Sequence, residues 1–355
     1  MSQRSRVRST VLVLAGLLSL AACGSGSSGA SSASSSAGAS SAGASSAGSS
    51  SAGASSAATV RLGLVQAQDF IHAMPAQVAM KQGFFTQQGL NVSIVGFSSG
   101  SDLTKAMAGG SVDVGAATGL DAVSAAAHSI PLQAFYGVYS QSPMALIVPT
   151  ASTVKGFADL KGKKVGISKA GSLTDFITRA SLRAVNVALT DVTEVPLGDP
   201  ASTMAALDRG DIDAFVLPIN FGFVEEASGK GKIAQKASDV LGADSQFAIL
   251  MAKTDFVTAH TDTLKKLAAA YTQALEWMKA NGPGVQALAT DKLGMKPAIA
   301  EKTYQTLVGG FTSTGAISQA GMSAYAKALP DLKIATTEPK ESDYLTTSVV
   351  SATAK

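Results

Sequence analysis

One short pattern occurs twice, 100 residues apart, and it constrains the fold more than any other feature of the chain. Ala106-Met107, Gly110 and Val112-Asp113 fall on Ala206-Leu207, Gly210 and Ile212-Asp213, and upstream Val92, Val95 and Phe97 fall on Val192, Val195 and Leu197. A nearby shift lays Arg61-Leu62-Gly63-Leu64 on Lys164-Val165-Gly166-Ile167. A helix end, a glycine and a strand preceded by aspartate therefore recur in the same order. Two copies are too few for a solenoid, so the pattern predicts one strand-helix-strand-helix plan used twice, in two similar lobes.

Between Thr59 and Lys355 short apolar runs alternate with helical patterns, the signature of α/β architecture. Strands are predicted at Val60 to Val65, Asn91 to Phe97, Val112 to Ala116, Leu132 to Tyr139, Met144 to Val148, Lys164 to Ser168, Asp191 to Leu197, Ala214 to Leu217 and Phe247 to Ala252. Helices are predicted near Pro75 to Gln88, Asp102 to Ala108, Asp121 to Ala127, Leu173 to Ala184 and Ala201 to Arg209, and most strands are expected to be parallel. After Ala252 only helices follow. Leu264, Leu267, Tyr271, Ala274 or Leu275, and Met278 keep one apolar face, with Trp277 as packing beside it. Two further helices, near Ala298 to Leu307 and Ser318 to Leu329, are expected on the outside of the first lobe.

The N-terminal segment reads as an address and a tether. Arg4, Arg6 and Arg8 precede an apolar stretch from Val11 to Ala22 that ends in Leu20-Ala21-Ala22-Cys23. As a helix that stretch would rise only about 18 Å, short of a hydrocarbon core of roughly 30 Å, so a cleaved secretory signal over residues 1–22 is expected. Leu-Ala-Ala-Cys resembles the lipobox of bacterial lipoproteins, which implies a lipid on Cys23 and attachment to the extracytoplasmic face of a membrane. From Gly24 to Ala58 only glycine, serine and alanine occur, with Gly38, Gly43, Gly48 and Gly53 five residues apart. Residues 23–58 are thus expected to be a flexible leash with an end-to-end distance of roughly 30 to 35 Å.

Charge and cysteine count exclude several functions. The formal charge of +3 reflects 28 basic and 25 acidic residues, and without Arg4, Arg6 and Arg8 the balance is 25 against 25. The body therefore lacks the positive footprint that phosphate neutralisation requires, and no nucleic-acid partner is expected. The single cysteine forms no internal disulfide, and no metal site or cofactor is expected.

In parallel sheets ligands sit beyond the carboxyl ends of strands, where the next helices begin. Those ends lead into Gln66 to Phe70, Ser98 to Asp102 and Ala117 to Asp121 in the first copy, and into Lys169 to Thr174, Gly198 to Ala201 and Pro218 to Asn220 in the second. Glycine permits close approach, hydroxyls adapt, and the first turn of each helix offers free N–H donors. Some of these residues also suit helix caps, Asp199 before Pro200 most plainly. Six such loops facing one another predict a polar cleft.

The run Gly83-Phe84-Phe85-Thr86-Gln87-Gln88-Gly89-Leu90, the stretch Ala106 to Gly115, and Asp159-Leu160-Lys161-Gly162-Lys163-Lys164-Val165-Gly166 resemble the solute-binding proteins of ABC importers, in the branch that serves nitrate, taurine, alkanesulfonates and thiamine precursors. The resemblance implies an α/β fold of the periplasmic-binding-protein type (type II), with two α/β lobes joined by a two-strand hinge. Residues 59–149 and 247–355 would form the first lobe and residues 150–246 the second, with chain crossings near Pro149 to Ser152 and Gln246 to Lys253. It implies capture of a small-molecule solute, such as a sulfonate, a nitrate-like anion, a pyrimidine or a similar heterocycle, and its delivery by a monomer to permease subunits. Carried onto matching loops, it implies ligand contacts from Gln66, Gln68, Asp69, Phe70, Ser98, Ser99, Gly100, Thr118, Gly119, Tyr139, Ser142, Lys169, Gly171, Ser172, Thr174, Pro218 and Asn220.

One departure bears on the ligand. No arginine lies in a predicted cleft loop, whereas a sulfonate or phosphate clamp favours its bidentate fork, and Lys169 is the one well-placed base. Asp69 and Asp121 could face an amine, and Phe70, Tyr139 and Phe221 a ring. Two enzyme readings compete. Gly96-Phe97-Ser98-Ser99-Gly100 matches a nucleophile elbow with Ser98 as nucleophile, although only one strand precedes it and neither His128 nor His260 is aimed at it. The branch also resembles a pyrimidine-precursor synthase with a cysteine-rich motif, for which this chain has only Cys23. His72, which follows Phe70, could reach the cleft, but a capping or surface position is the favoured reading.

Overall fold

The computed structural model describes residues 57–242, 244–350 and 353–354. The expected signal, Cys23 and the leash up to residue 56 lie outside the described residues. Ala58, expected to close the leash, instead opens the first strand.

In chain order the first half runs β1 (Ala58–Val65), α1 (Phe70–Lys81), α2 (Phe84–Gln87), β2 (Leu90–Phe97), α3 (Gly100–Ala108), β3 (Val114–Thr118), α4 (Gly119–Ala127) and β4 (Leu132–Gln141). The second runs β5 (Met144–Pro149), β6 (Lys164–Ile167), α5 (Leu173–Ala184), β7 (Thr193–Pro196), α6 (Pro200–Arg209), β8 (Ala214–Pro218), α7 (Ile219–Ser228), β9 (Gly231–Lys236) and α8 (Ser238–Leu241). Then come β10 (Asp244–Lys253), α9 (Thr254–Ala259), α10 (Thr261–Ala280), α11 (Gly282–Leu293), α12 (Pro297–Leu307) and α13 (Gln319–Asp331).

The strands β1 to β10 form two five-stranded sheets of one plan, ordered β2-β1-β3-β10-β4 and β7-β6-β8-β5-β9. In each, three strands are parallel and the fourth is antiparallel to both neighbours. That fourth strand, β5 or β10, is the one that arrives from the other lobe. The sequence repeat has a physical basis in these pairings. The amide of Arg61 donates to Asp113 Oδ2 at 2.8 Å and the amide of Lys164 donates to Asp213 Oδ2 at 2.8 Å. Gly110 and Gly210 both hold left-handed φ, of 73° and 76°, which frees the chain to turn from helix into strand.

The lobe boundary differs from expectation. Met144–Pro149 pairs with β8 and β9, so the first crossing lies at Ser142-Pro143 rather than at Pro149 to Ser152. The return falls between β9 and β10, ahead of Gln246. The physical reason is that Met144 to Val148 is buried throughout, and a continuous apolar run does not disclose which sheet it completes.

Several helices were misplaced or unforeseen, α1 and α7 among them. α1 begins at Phe70, not Pro75, because Asp69 caps it by accepting from the His72 amide, and Pro75 lies inside. α7 was read as loop at its start: Pro218 occupies the cap position without a side-chain bond, so it carries no cap signature. The apolar face of α10 is buried as its period predicts. α12 packs on α7 of the second lobe, and α13 on α4 and β10 of the first. No helix among the described residues is long and apolar enough to cross a membrane.

Candidate functional site

Four helices begin at the cleft between the lobes, and each brings its own cap. Asp69 caps α1; Ser99 caps α3 and accepts from the Asp102 amide at 3.3 Å; Ser172 caps α5. At α4 a capping box forms: Asp121 Oδ2 accepts from the Thr118 amide at 2.8 Å and from its hydroxyl at 2.7 Å.

Loop ends from both lobes line a deep cavity of about 20 Å³, room for a single water molecule. The first lobe contributes Gln66, His72, Ser99, Gly100, Thr118 and Asp121, and the second Ser168, Ser172, Leu173 and Thr174. Ser168, Ser172 and Thr174 form a triangle of hydroxyls with oxygen separations of 2.9 to 3.0 Å. Gln66 holds φ of 46°, a left-handed conformation that costs a non-glycine residue of order 1 to 3 kcal/mol.

His72 is neither a surface nor a merely capping residue. It is 2% exposed and lines the cavity, with Nδ1 2.7 Å from Asp69 Oδ2 and its ring against Phe247. Its Nε2 and the Oδ1 of Asp69 are buried without a partner. Asp121 is buried as well, and burial pushes its carboxyl above the ordinary range against the lowering effect of the Thr118 bonds. Gly100 leaves the space that this carboxylate fills, since a Cβ there would overlap it.

Of the residues proposed from sequence, Gln66, Ser99, Gly100, Thr118, Ser172 and Thr174 meet in the deep cavity. Lys169 and Gly171 line an adjoining outer cavity of about 650 Å³, which shares Asp121 with the deep one. Gln68 and Asn220 line a third, of about 490 Å³, between α6–α7 and α11–α12. The others are placed elsewhere. Asp69 stands behind His72, and Phe70 and Tyr139 pack against Phe311 in the core of the first lobe, because an aromatic ring between sheet and helices buries more apolar area there. Ser98 donates to Asp102 at 3.0 Å, and Gly119 sits against the Gln246 carbonyl. Ser142 lies at the crossing with its hydroxyl buried and unpaired, and Pro218 ends β8 opposite Met144.

His72, Asp121 and Ser168 are cavity residues that the site assignment omitted. Thr118-x-x-Asp121 is a legible capping-box spacing, whereas for His72 its position just after Phe70 is the one local cue to the cleft.

The lobes are bonded to each other on both sides of the cleft. Lys169 Nζ reaches Asp102, Arg183 Nη1 reaches Asp331 Oδ2 at 2.8 Å, and Phe176 meets Tyr325 edge-on at 5.2 Å. On the other side Lys302 Nζ lies 2.9 Å from Glu226 Oε2 and 4.3 Å from the centre of the Phe223 ring. Ser98 makes no contact with a histidine: His72 bonds Asp69, and His128 Nδ1 bonds the Ser124 carbonyl. The nucleophile–base contact of a serine hydrolase is therefore missing among the described residues.

Two repeated α/β lobes closing on a polar cavity at their helix starts define the fold of periplasmic binding proteins. Residues 71–283 match the family model described as NMT1/THI5 like, and the chain belongs to that family. It is 33% identical over 128 residues to a provisionally named aliphatic sulfonates-binding protein of Escherichia coli (strain K12), covering 36% of this chain and 39% of that one. It is 26% identical over 221 residues to 4-amino-5-hydroxymethyl-2-methylpyrimidine phosphate synthase of Aspergillus parasiticus, covering 58% and 63%. In both cases the match spans less than two thirds of the relative. The fold is similar to that of the alkanesulfonate-binding protein SsuA from Xanthomonas axonopodis pv. citri bound to MOPS, with a TM-score of 0.72 at 20% identity over 81% of this chain and 98% of that one.

Proposed function

We propose that this chain is the extracytoplasmic solute-binding component of an ABC importer, which captures a small molecule between its lobes and presents it to a membrane permease. The observation that carries this reading is the deep cavity. Its wall, continued by the adjoining cavity of about 650 Å³, comes from strand ends and helix starts of both lobes, so a solute seated there touches both lobes at once. Ligand then shifts the open-to-closed equilibrium by its differential affinity, and a permease reads occupancy as shape. The family and its sulfonate-binding relatives support this class of function. The lipobox at Cys23 and the glycine-serine-alanine leash support anchoring to the outer face of the cell membrane, where a tether raises the effective concentration of the body near a permease. The protein acts as a monomer in this reading, and without a catalytic step of its own.

Small-angle scattering combined with a thermal-shift screen tests it. A true solute raises the melting temperature saturably, by the equivalent of about 2.7 kcal/mol at 100 times its Kd, and reduces the radius of gyration. Turnover of p-nitrophenyl esters or release of a pyrimidine product without lobe closure would contradict it.

A further inference from the structure

We propose that the solute carries a positively charged nitrogen, an ammonium or amidinium-type group, and that Asp121 is its anchor. This rests on the solute-binding reading and narrows the class of ligand.

Four helix N-termini at one cleft would ordinarily favour an anion. Here each already carries a carboxylate of the chain, which lowers the positive potential of that helix start: Asp69 at α1, Asp102 at α3, Asp121 at α4 and Asp175 at α5. One amide at each of α1 and α4 bonds to that side chain, His72 N to Asp69 at 3.2 Å and Thr118 N to Asp121 at 2.8 Å, and just ahead of the α5 cap Gly171 N bonds Asp175 at 2.6 Å. Three of the four carboxylates in turn hold a base: Asp69 holds His72, Asp102 holds Lys169 and Asp175 holds Arg179. Asp121 has no ion pair among the described residues, although it is 6% exposed and stands where the deep and outer cavities meet.

The charge count of the deep cavity leads the same way. Neither lysine nor arginine lines it, and behind its wall stand two carboxylates, Asp69 and Asp121, with one imidazole. Protonated His72 balances one carboxylate and neutral His72 balances neither. Burial favours the neutral acid at Asp121 while the cavity holds no cation, because a buried charge without a partner is costly, so ionisation of this carboxyl calls for a positive partner beside it. A cationic nitrogen supplies that partner. No cluster of three or more metal-ligating side chains is present among the described residues, which favours an organic cation over a metal ion. The rest of the solute extends into the outer cavity, where Lys169 and Arg179 are already committed to carboxylates and Lys105 and Lys333 stand exposed and screened by solvent.

The test is calorimetric titration of the full-length protein with guanidinium, methylammonium and imidazolium chlorides, and with sodium nitrate and sodium methanesulfonate. Saturable binding of at least one cationic probe is expected, weakened tenfold or more by Asp121→Asn, whose amide oxygen still accepts from Thr118. Urea, the neutral isostere of guanidinium, provides a comparison on the unaltered protein and is expected not to bind. Binding of urea equal to that of guanidinium overturns the proposal. Binding of nitrate or methanesulfonate that survives Asp121→Asn overturns the ligand class and leaves the solute-binding reading standing. Absence of saturable binding by every cationic probe, up to millimolar concentration, overturns the ligand class, whereas the solute-binding reading falls only if the thermal-shift and scattering screen finds no ligand at all.

Discussion

Lys169 of the second lobe bonds Asp102 of the first across the mouth of the cleft, with Nζ 2.6 and 2.5 Å from the two carboxylate oxygens. Burial of Asp102 opposes ionisation, but the bonds from Lys169, Ser99 and Ser98 outweigh it and hold the carboxyl below the ordinary range. The pair bridges the two lobes, so any opening of the cleft at this mouth would break it.

Lys169→Met is expected to shift the protein toward the open form and weaken ligand binding a few-fold. The ammonium is substantially exposed, which limits such a pair to about 1 kcal/mol or less. Solute Kd and the radius of gyration by small-angle scattering check this, and raising the salt concentration should erase the difference between variant and wild type. Because the Asp102 pKa is depressed, its contribution is present at neutral pH and lost as pH falls below the ordinary carboxylate range. An unchanged Kd and unchanged scattering would remove the latch from the mechanism.

Gly100→Ala tests the seat of Asp121. A Cβ at residue 100 overlaps the Asp121 carboxylate, which is short and bonded to Thr118 and so cannot move without giving up its cap. A loss of about 1 to 3 kcal/mol in urea unfolding is expected together with weakened ligand binding. Full stability with full binding would mean that Asp121 moves freely.

The repeat at 100 residues was legible because the same local chemistry operates twice: Gly110 and Gly210 must both turn with positive φ, and Asp113 and Asp213 must both accept an amide from the neighbouring strand. The loops that meet at the cavity were legible for a related reason, since the carboxyl ends of parallel strands follow from the pattern of elements alone. Membership of a particular sheet was not. Met144 to Val148 satisfies either sheet equally, and only tertiary pairing assigns it to the second. Phe70 and Tyr139 show the same limit: an aromatic at a strand end or loop suits a ligand and a core alike, and the packing of Phe311 between them decides for the core. A cleft position for His72 ranked second to a surface one because inward orientation on α1 depends on where the helix starts, and Asp69 moves that start five residues ahead of Pro75.

Ser172 separates closure from capping. Ser172→Ala removes the N-cap of α5 and is expected to cost about 1 kcal/mol while leaving the cleft able to close. Ser172→Trp loses the same cap and adds a ring to a cavity of about 20 Å³, so it should hold the lobes apart and abolish binding with a similar effect on stability. Comparison of the two by urea unfolding and ligand titration isolates the steric effect. Equal affinity in both variants would place the ligand elsewhere.

Glu225 sets a pH dependence away from the cleft. The residue is 1% exposed, its Oε2 has no partner, and burial, reinforced by Asp208 and opposed by Lys230, raises its pKa from 4.5 to about 7. Between those two values the folded state binds more protons than the unfolded one, so the Glu225 contribution to stability is full below pH 4.5 and falls as pH rises toward 7. Above 7 the loss is complete. Glu225→Gln removes the titrating group and nearly preserves its shape, so the variant should exceed wild type at pH 8, by on the order of 1 to 3 kcal/mol, and lose that advantage near pH 4.5. Urea unfolding of both proteins across this range checks the sign, and parallel profiles would show that Glu225 titrates as it does in the unfolded chain.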